Sequence, residues 1–124
     1  MRNLLLALPF LLSNCSVPIA VDTTVPAHAF SDRINASAQL VDVRTAAEFK
    51  GGHLLNAVNL DWTGGQLEAM SSTLDKTRPV LLYCASGRRS ADARGYLVDQ
   101  GFTDVVGLEG GITSWRSSGM PVEP

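Results

Sequence analysis

Cysteine is nearly missing from this chain. Only Cys15 and Cys84 carry a thiol among 124 residues. Two are too few for a disulfide framework or a cysteine-rich zinc site. Histidine is as scarce. His28 and His53 lie far apart, without metal-ligand spacing, so no metal and no cofactor are expected. A basic excess is missing too. The chain has 10 Lys and Arg against 12 Asp and Glu, a net charge of −2, and nucleic acid is not expected as a partner. There is no internal repeat and no low-complexity segment. With 45% apolar and 18% charged residues the chain is globular rather than disordered, and its length favours one domain.

What is present is concentrated in Tyr83-Cys84-Ala85-Ser86-Gly87-Arg88-Arg89-Ser90. The apolar run Val80-Leu81-Leu82-Tyr83 reads as a buried strand. Ser90 reads as the N-cap of a helix that Gly101 ends. The order is therefore strand, tight loop, helix, with a lone Cys at the first loop position. Backbone N–H groups in such a loop converge on one point, and the helix dipole adds positive potential there. A thiolate suits that place, and Arg88 and Arg89 strengthen the field. Cys84 is expected to have a depressed pKa and to act as a nucleophile. The plainer alternative is a small core residue followed by a polar loop. A core cysteine needs neither the glycine nor the two arginines, so the reactive reading is preferred.

Residues 1–20 read as a leader. Arg2 gives a minimal positive region, and residues 4–12 are almost wholly apolar, broken only by Pro9. That run is short for a membrane span but has the length of a signal-peptide core. Leu12-Ser13-Asn14-Cys15 resembles the bacterial lipoprotein signal, which implies a lipidated Cys15, although Asn14 stands where a small residue is usual. Ala27-His28-Ala29 has the form of an ordinary signal-peptidase site and remains the alternative. Either route implies export to a periplasmic location, with membrane contact only through a lipid anchor.

Residues 21–29 lack periodicity and read as a tether, with the domain over 30–124. Residues 39–44 read as a strand, and Thr45 as the cap of a short helix with Glu48 as the capping-box acid. A second strand is expected around Val58. A helix over 64–74 carries Leu67, Met70 and Leu74 on one face. The strand before Cys84 is followed by a helix over 91–100. Gly95 inside it costs ~1 kcal/mol relative to Ala, which close packing on the sheet is expected to offset. A last strand over 103–108 precedes a helix holding Ile112 and Trp115. Alternating strands and helices predict an α/β fold: a small, mainly parallel sheet with helices on both faces. Ligands in such sheets bind beyond the carboxyl ends of strands, where Cys84 stands.

These pieces, in this order, resemble the single-domain rhodaneses, a sulfurtransferase family, from about Phe30 to Pro121. The likeness is carried by Leu40-Val41-Asp42-Val43-Arg44 with Glu48-Phe49, by Gly52-His53-Leu54, by residues 84–90, and by Leu108-Glu109-Gly110-Gly111 with Trp115 and Gly119-Met120-Pro121. The leader makes the chain similar to the periplasmic phage-shock members. Asn56 stands where the family usually has Gly, and Asp61 where it commonly has Pro. Asn tolerates the left-handed conformation that such a turn requires.

The resemblance implies a mechanism. Cys84 takes the outer sulfur of a thiosulfate-like donor as a persulfide and passes it to cyanide, a small thiol or a protein thiol. Ala85, Ser86, Gly87, Arg88, Arg89 and Ser90 form the binding loop, one arginine attracting the donor anion. Asp42 and Arg44 support the loop from the neighbouring strand, and His53 is a turn or core residue. Three other readings share these features: a persulfide carrier, a non-catalytic binding module, and a cysteine phosphatase or arsenate reductase. The last requires Cys, five residues and Arg, whereas Arg89 comes one place early.

Overall fold

The computed structural model describes Pro9 and residues 21–124. The strands are β1 (Val21–Val25), β2 (Gln39–Asp42), β3 (His53–Leu54), β4 (Val58–Asn59), β5 (Val80–Tyr83), β6 (Asp104–Leu108) and β7 (Val122–Glu123). The helices are α1 (Ala27–Asp32), α2 (Ala46–Lys50), α3 (Gln66–Met70), α4 (Arg88–Asp99) and α5 (Gly111–Ser117). Five strands form one sheet in the order β1-β6-β5-β2-β4, every pair parallel. Strands β3 and β7 make a separate antiparallel pair.

The central strand β5 explains the layering. Its four residues, Val80-Leu81-Leu82-Tyr83, are all buried, as a strand covered on both faces must be. The pleat sends Val80 and Leu82 to one face, with Val41, Leu67, Ala93 and Leu97. Leu81 and Tyr83 go to the other, with Phe30, Leu54, Leu108 and Trp115. Helices α3 and α4 therefore cover the first face, and α1 and α5 the second. Burying one leucine side chain contributes about 1.5–3 kcal/mol, so Leu81 and Leu82 clamp the sheet from opposite sides. The α/β expectation, a mainly parallel sheet flanked by helices on both faces, is met.

Residues 21–29 are not a tether. Strand β1 pairs with β6 over its whole length, from Val21 opposite Asp104 to Val25 opposite Leu108. Four of its five residues are β-branched, which suits a pleated edge. Helix α1 follows Pro26 at once and buries Ala27 and Phe30. Among the described residues the domain thus reaches back to Val21 rather than starting at Phe30. The expected leader, Cys15 included, lies outside the described residues, Pro9 apart.

Three local readings also change or gain detail. Ser90 is not the cap of α4. Gly87, at φ 111°, takes that place, and the helix starts at Arg88. The helix expected over 64–74 is α3 followed by a 3-10 turn over Ser71–Thr73. Gly95 is not packed tightly on the sheet, since a Cβ there would meet nothing within 4 Å. Asn56 does adopt the left-handed region, at φ 65°. Thr45 and Glu48 do form the capping box on α2.

Candidate active site

Cys84 follows β5 directly and is buried. The loop after it turns at once because Gly87 accepts a positive φ that a side chain would resist. The turn brings the Gly87 N–H to 3.0 Å from the Cys84 sulfur. It also brings Ser90, on the first turn of α4 and itself buried, within 3.5 Å of that sulfur. As a thiol, Cys84 donates to Ser90 Oγ, and Ser90 donates to the Gly87 carbonyl at 3.1 Å. Once the proton leaves, the hydroxyl can rotate to donate to sulfur instead. Burial pushes the Cys84 thiol up. The Ser90 hydroxyl and the N–H groups of Ser90, Gly87 and Ser86 outweigh it, and the net shift is downward.

The loop is held from behind by α5. The Ile112 N–H donates to the Cys84 carbonyl at 2.9 Å, and the Thr113 N–H to the Ala85 carbonyl at 3.2 Å. Only glycine fits at Gly111, at φ 60°, because a Cβ there would collide with both of those carbonyl groups. These supports come from residues far along the chain. The Leu108-Glu109-Gly110-Gly111 segment was legible as a piece of the family pattern, but not as the brace of the cysteine.

The two arginines part company. Arg88 is exposed, and its side chain has no ion pair or hydrogen bond among the described residues. Arg89 is paired fork to fork with Glu48 on α2, at 2.7 and 2.9 Å. The Arg89 hydrogen bond, above all, holds the Glu48 carboxyl down to about 2. The two side chains are 28% and 35% exposed, so solvent screening limits the pair to about 0.2–1 kcal/mol. Glu48 was legible as a capping acid and as a piece of the family pattern, not as the partner of Arg89.

Asp42 and Arg44 form a buried pair. Arg44 Nη2 donates to Asp42 Oδ2 at 2.7 Å and to the Gly52 carbonyl, also at 2.7 Å. Its guanidinium lies over the Tyr83 ring at 5.6 Å. Asn59 closes the network by donating to the carbonyls of Asp42 and Arg44. Burial and the Asp42 carboxylate push the Tyr83 phenol well above its ordinary range. Its oxygen accepts from the Leu54 N–H at 3.0 Å. Among the described residues no hydrogen bond runs from either Asp42 or Arg44 side chain to residues 85–90. Their support goes to Tyr83 and the Gly52 turn. His53, buried at the start of β3, stacks on Phe49 at 3.7 Å and bonds its carbonyl through Nδ1.

No group of three His, Cys, Asp or Glu among the described residues could hold a metal ion. No helix among them is long and apolar enough to cross a membrane. A groove of about 330 Å³, lined by Leu40, Val58, Met70 and Arg78 among others, contains no residue of the 84–90 loop.

The arrangement defines a class: an α/β protein whose cysteine sits at the mouth of a parallel sheet, in a cradle of donors that favours its anion. The comparisons with known proteins place it further. A model of the rhodanese-like domain matches residues 26–118. A sulfurtransferase of Allochromatium vinosum is 40% identical over 83 residues, which span 67% of this chain and 76% of the relative. The thiosulfate sulfurtransferase GlpE of Shewanella oneidensis is 37% identical over 82 residues, 66% of this chain and 79% of that one. The crystal structure of a rhodanese-related protein from Thermoplasma volcanium superposes with a TM-score of 0.74 at 29% identity, covering 82% of this chain and 98% of its own. The chain belongs to the rhodanese-like family and is an enzyme of its sulfurtransferase class.

Proposed function

We propose that the chain transfers a sulfane sulfur from thiosulfate or a similar donor through a Cys84 persulfide. The observation that carries this reading is the cradle: a buried sulfur with the Gly87 N–H turned towards it, the Ser90 hydroxyl within 3.5 Å, and its pKa lowered despite burial. In the first step the Cys84 thiolate attacks the outer sulfur of the donor. A new S–S bond forms, the donor's own S–S bond breaks, and sulfite leaves with the electron pair. The Gly87 N–H and its neighbours then stabilise the persulfide anion, as an oxyanion hole does for oxygen. In the second step cyanide or a thiolate, on a small molecule or a protein, attacks the outer sulfur. The Cys84 thiolate leaves and the enzyme is restored. An arginine at the start of α4 draws the donor in. Ping-pong kinetics follow.

Incubating the full chain with thiosulfate should add the mass of one sulfur atom to the peptide holding Cys84, and cyanide should remove it. Cys84→Ser should lose both the mass gain and cyanide-dependent turnover, because a hydroxyl stays protonated at neutral pH. A folded wild-type protein that gains no sulfur would refute the proposal.

We further infer that the chain is exported and anchored through Cys15. The apolar run over 4–12 supports this. So does β1, since cleavage after Ala29 would remove a paired strand from the sheet. Intact mass of protein from its native membrane fraction tests it. A mature N-terminus at Phe30 would overturn it.

A further inference from the structure

Arg89 is already occupied. Two of its guanidinium nitrogens, Nη1 and Nη2, donate to the two carboxylate oxygens of Glu48, the bidentate form that fixes both partners in orientation. Glu48 is fixed from its other side by Thr45, whose N–H and hydroxyl both donate to Oε1. The guanidinium nonetheless sits within electrostatic reach of the nucleophile. Its pKa is raised by Glu48 first, and also by Cys84 and by Asp61. Arg88, one residue earlier, is exposed and unpaired among the described residues. The first turn of α4 therefore carries two cations, of which one is cancelled by a carboxylate carried 41 residues away on α2.

Resting on the sulfurtransferase reading, we propose that Glu48 is a specificity-determining residue. It neutralises Arg89 beside the cradle and leaves Arg88 as the uncompensated charge that meets the donor. This weights the site towards sulfane donors carrying one negative charge, such as thiosulfonates and persulfides, over dianions such as thiosulfate. A dianion feels each added positive charge twice as strongly as a monoanion does. Cancelling one cation therefore costs the dianion more.

Glu48→Gln tests this, because the Gln oxygen keeps the capping-box acceptor while the amide removes the charge and one of the two hydrogen bonds to Arg89. Steady-state kinetics of the full chain would be measured with cyanide as acceptor. The donors are thiosulfate, a dianion, and methanethiosulfonate, a monoanion. Glu48→Gln should lower the KM for thiosulfate about two- to fivefold, the scale of one partly exposed charge. It should lower the KM for methanethiosulfonate less and change kcat little. Arg89→Gln strands the Glu48 carboxylate and should raise the thiosulfate KM. The double variant should bring it back towards the wild-type value. A pair that is only a strut would instead lower kcat and Tm in all three variants, without opposite shifts in KM. An Arg89 that grips the donor directly would raise KM as much in the double variant as in the single. Either pattern overturns the proposal.

A second measurement does not depend on sulfur transfer. The rate of Cys84 alkylation by anionic iodoacetate, divided by that by neutral iodoacetamide, should rise in Glu48→Gln and fall in Arg89→Gln. If the ratio follows this order while no variant turns over either donor, the charge assignment stands and the sulfurtransferase reading fails. A constant ratio in enzymes that turn over normally overturns the charge assignment alone.

Discussion

Replacing Ser90 by Ala separates the contribution of the cradle from that of the cysteine itself. Four groups work against burial to lower the Cys84 pKa: the Ser90 hydroxyl, and the N–H groups of Ser90, Gly87 and Ser86. The hydroxyl is the foremost of them, at 3.5 Å from sulfur. A hydrogen bond to a charged group contributes about 1.5–3 kcal/mol. Sulfur is a weak hydrogen-bond partner, so the lower end applies, about tenfold in the thiolate population. The substitution orphans nothing else, because the Gly87 carbonyl still accepts from the Ala91 N–H at 3.1 Å. The assay is the rate of alkylation by iodoacetamide as a function of pH. The midpoint should rise, and below both midpoints the rate should fall about tenfold. The same shift appears in stability. A thiol whose folded pKa lies below the unfolded value near 9.0 stabilises the fold fully above that value. It loses the contribution as pH falls through the folded pKa. Ser90→Ala should narrow that window from below. An unmoved midpoint in a folded variant would refute the account and leave the backbone N–H groups as the whole of the cradle.

Gly95→Ala should stabilise the chain by about 0.5–1 kcal/mol, since the site is in mid-helix and a Cβ meets open space. A lower Tm in the variant would show that the glycine has a use the packing does not reveal. Asp42→Asn should cost about 3–5 kcal/mol in urea unfolding, because it strips the carboxylate from a buried guanidinium. A loss below about 1 kcal/mol would mean that the Gly52 carbonyl and Tyr83 ring satisfy Arg44 without it.

Strong local patterns made the centre of the fold legible. Val80-Leu81-Leu82-Tyr83 can only be a buried strand, and a cysteine followed by small residues and a glycine must turn out of it. The capping box at Thr45 and Glu48 was equally plain, because both partners lie within one turn. Strand β1 was not. Its Val-Asp-Thr-Thr-Val has β-branched content but no clean alternation, and an edge strand with only one neighbour needs none. The start of α4 was misplaced because a serine and a glycine both make good caps. The backbone chose Gly87, whose positive φ turns the loop beneath the sulfur. The least legible features were the long-range ones. The Arg89–Glu48 fork and the α5 amides on the Cys84 carbonyl join residues that no local period connects.

The parallel course of β1 fixes which way the enzyme would point. Val21 begins a strand that runs alongside β6, and through it β5, so it lies at the end of the sheet opposite Cys84. With the proposed anchor at Cys15, residues 16–20 are all the chain between the lipid and that strand, about 18 Å when fully drawn out. So short a leash would hold the domain against the bilayer by its base. The sulfur would then look outward into the aqueous compartment. An acceptor dissolved there would meet the proposed persulfide directly, whereas a thiol embedded in the same membrane would face the far end of the sheet.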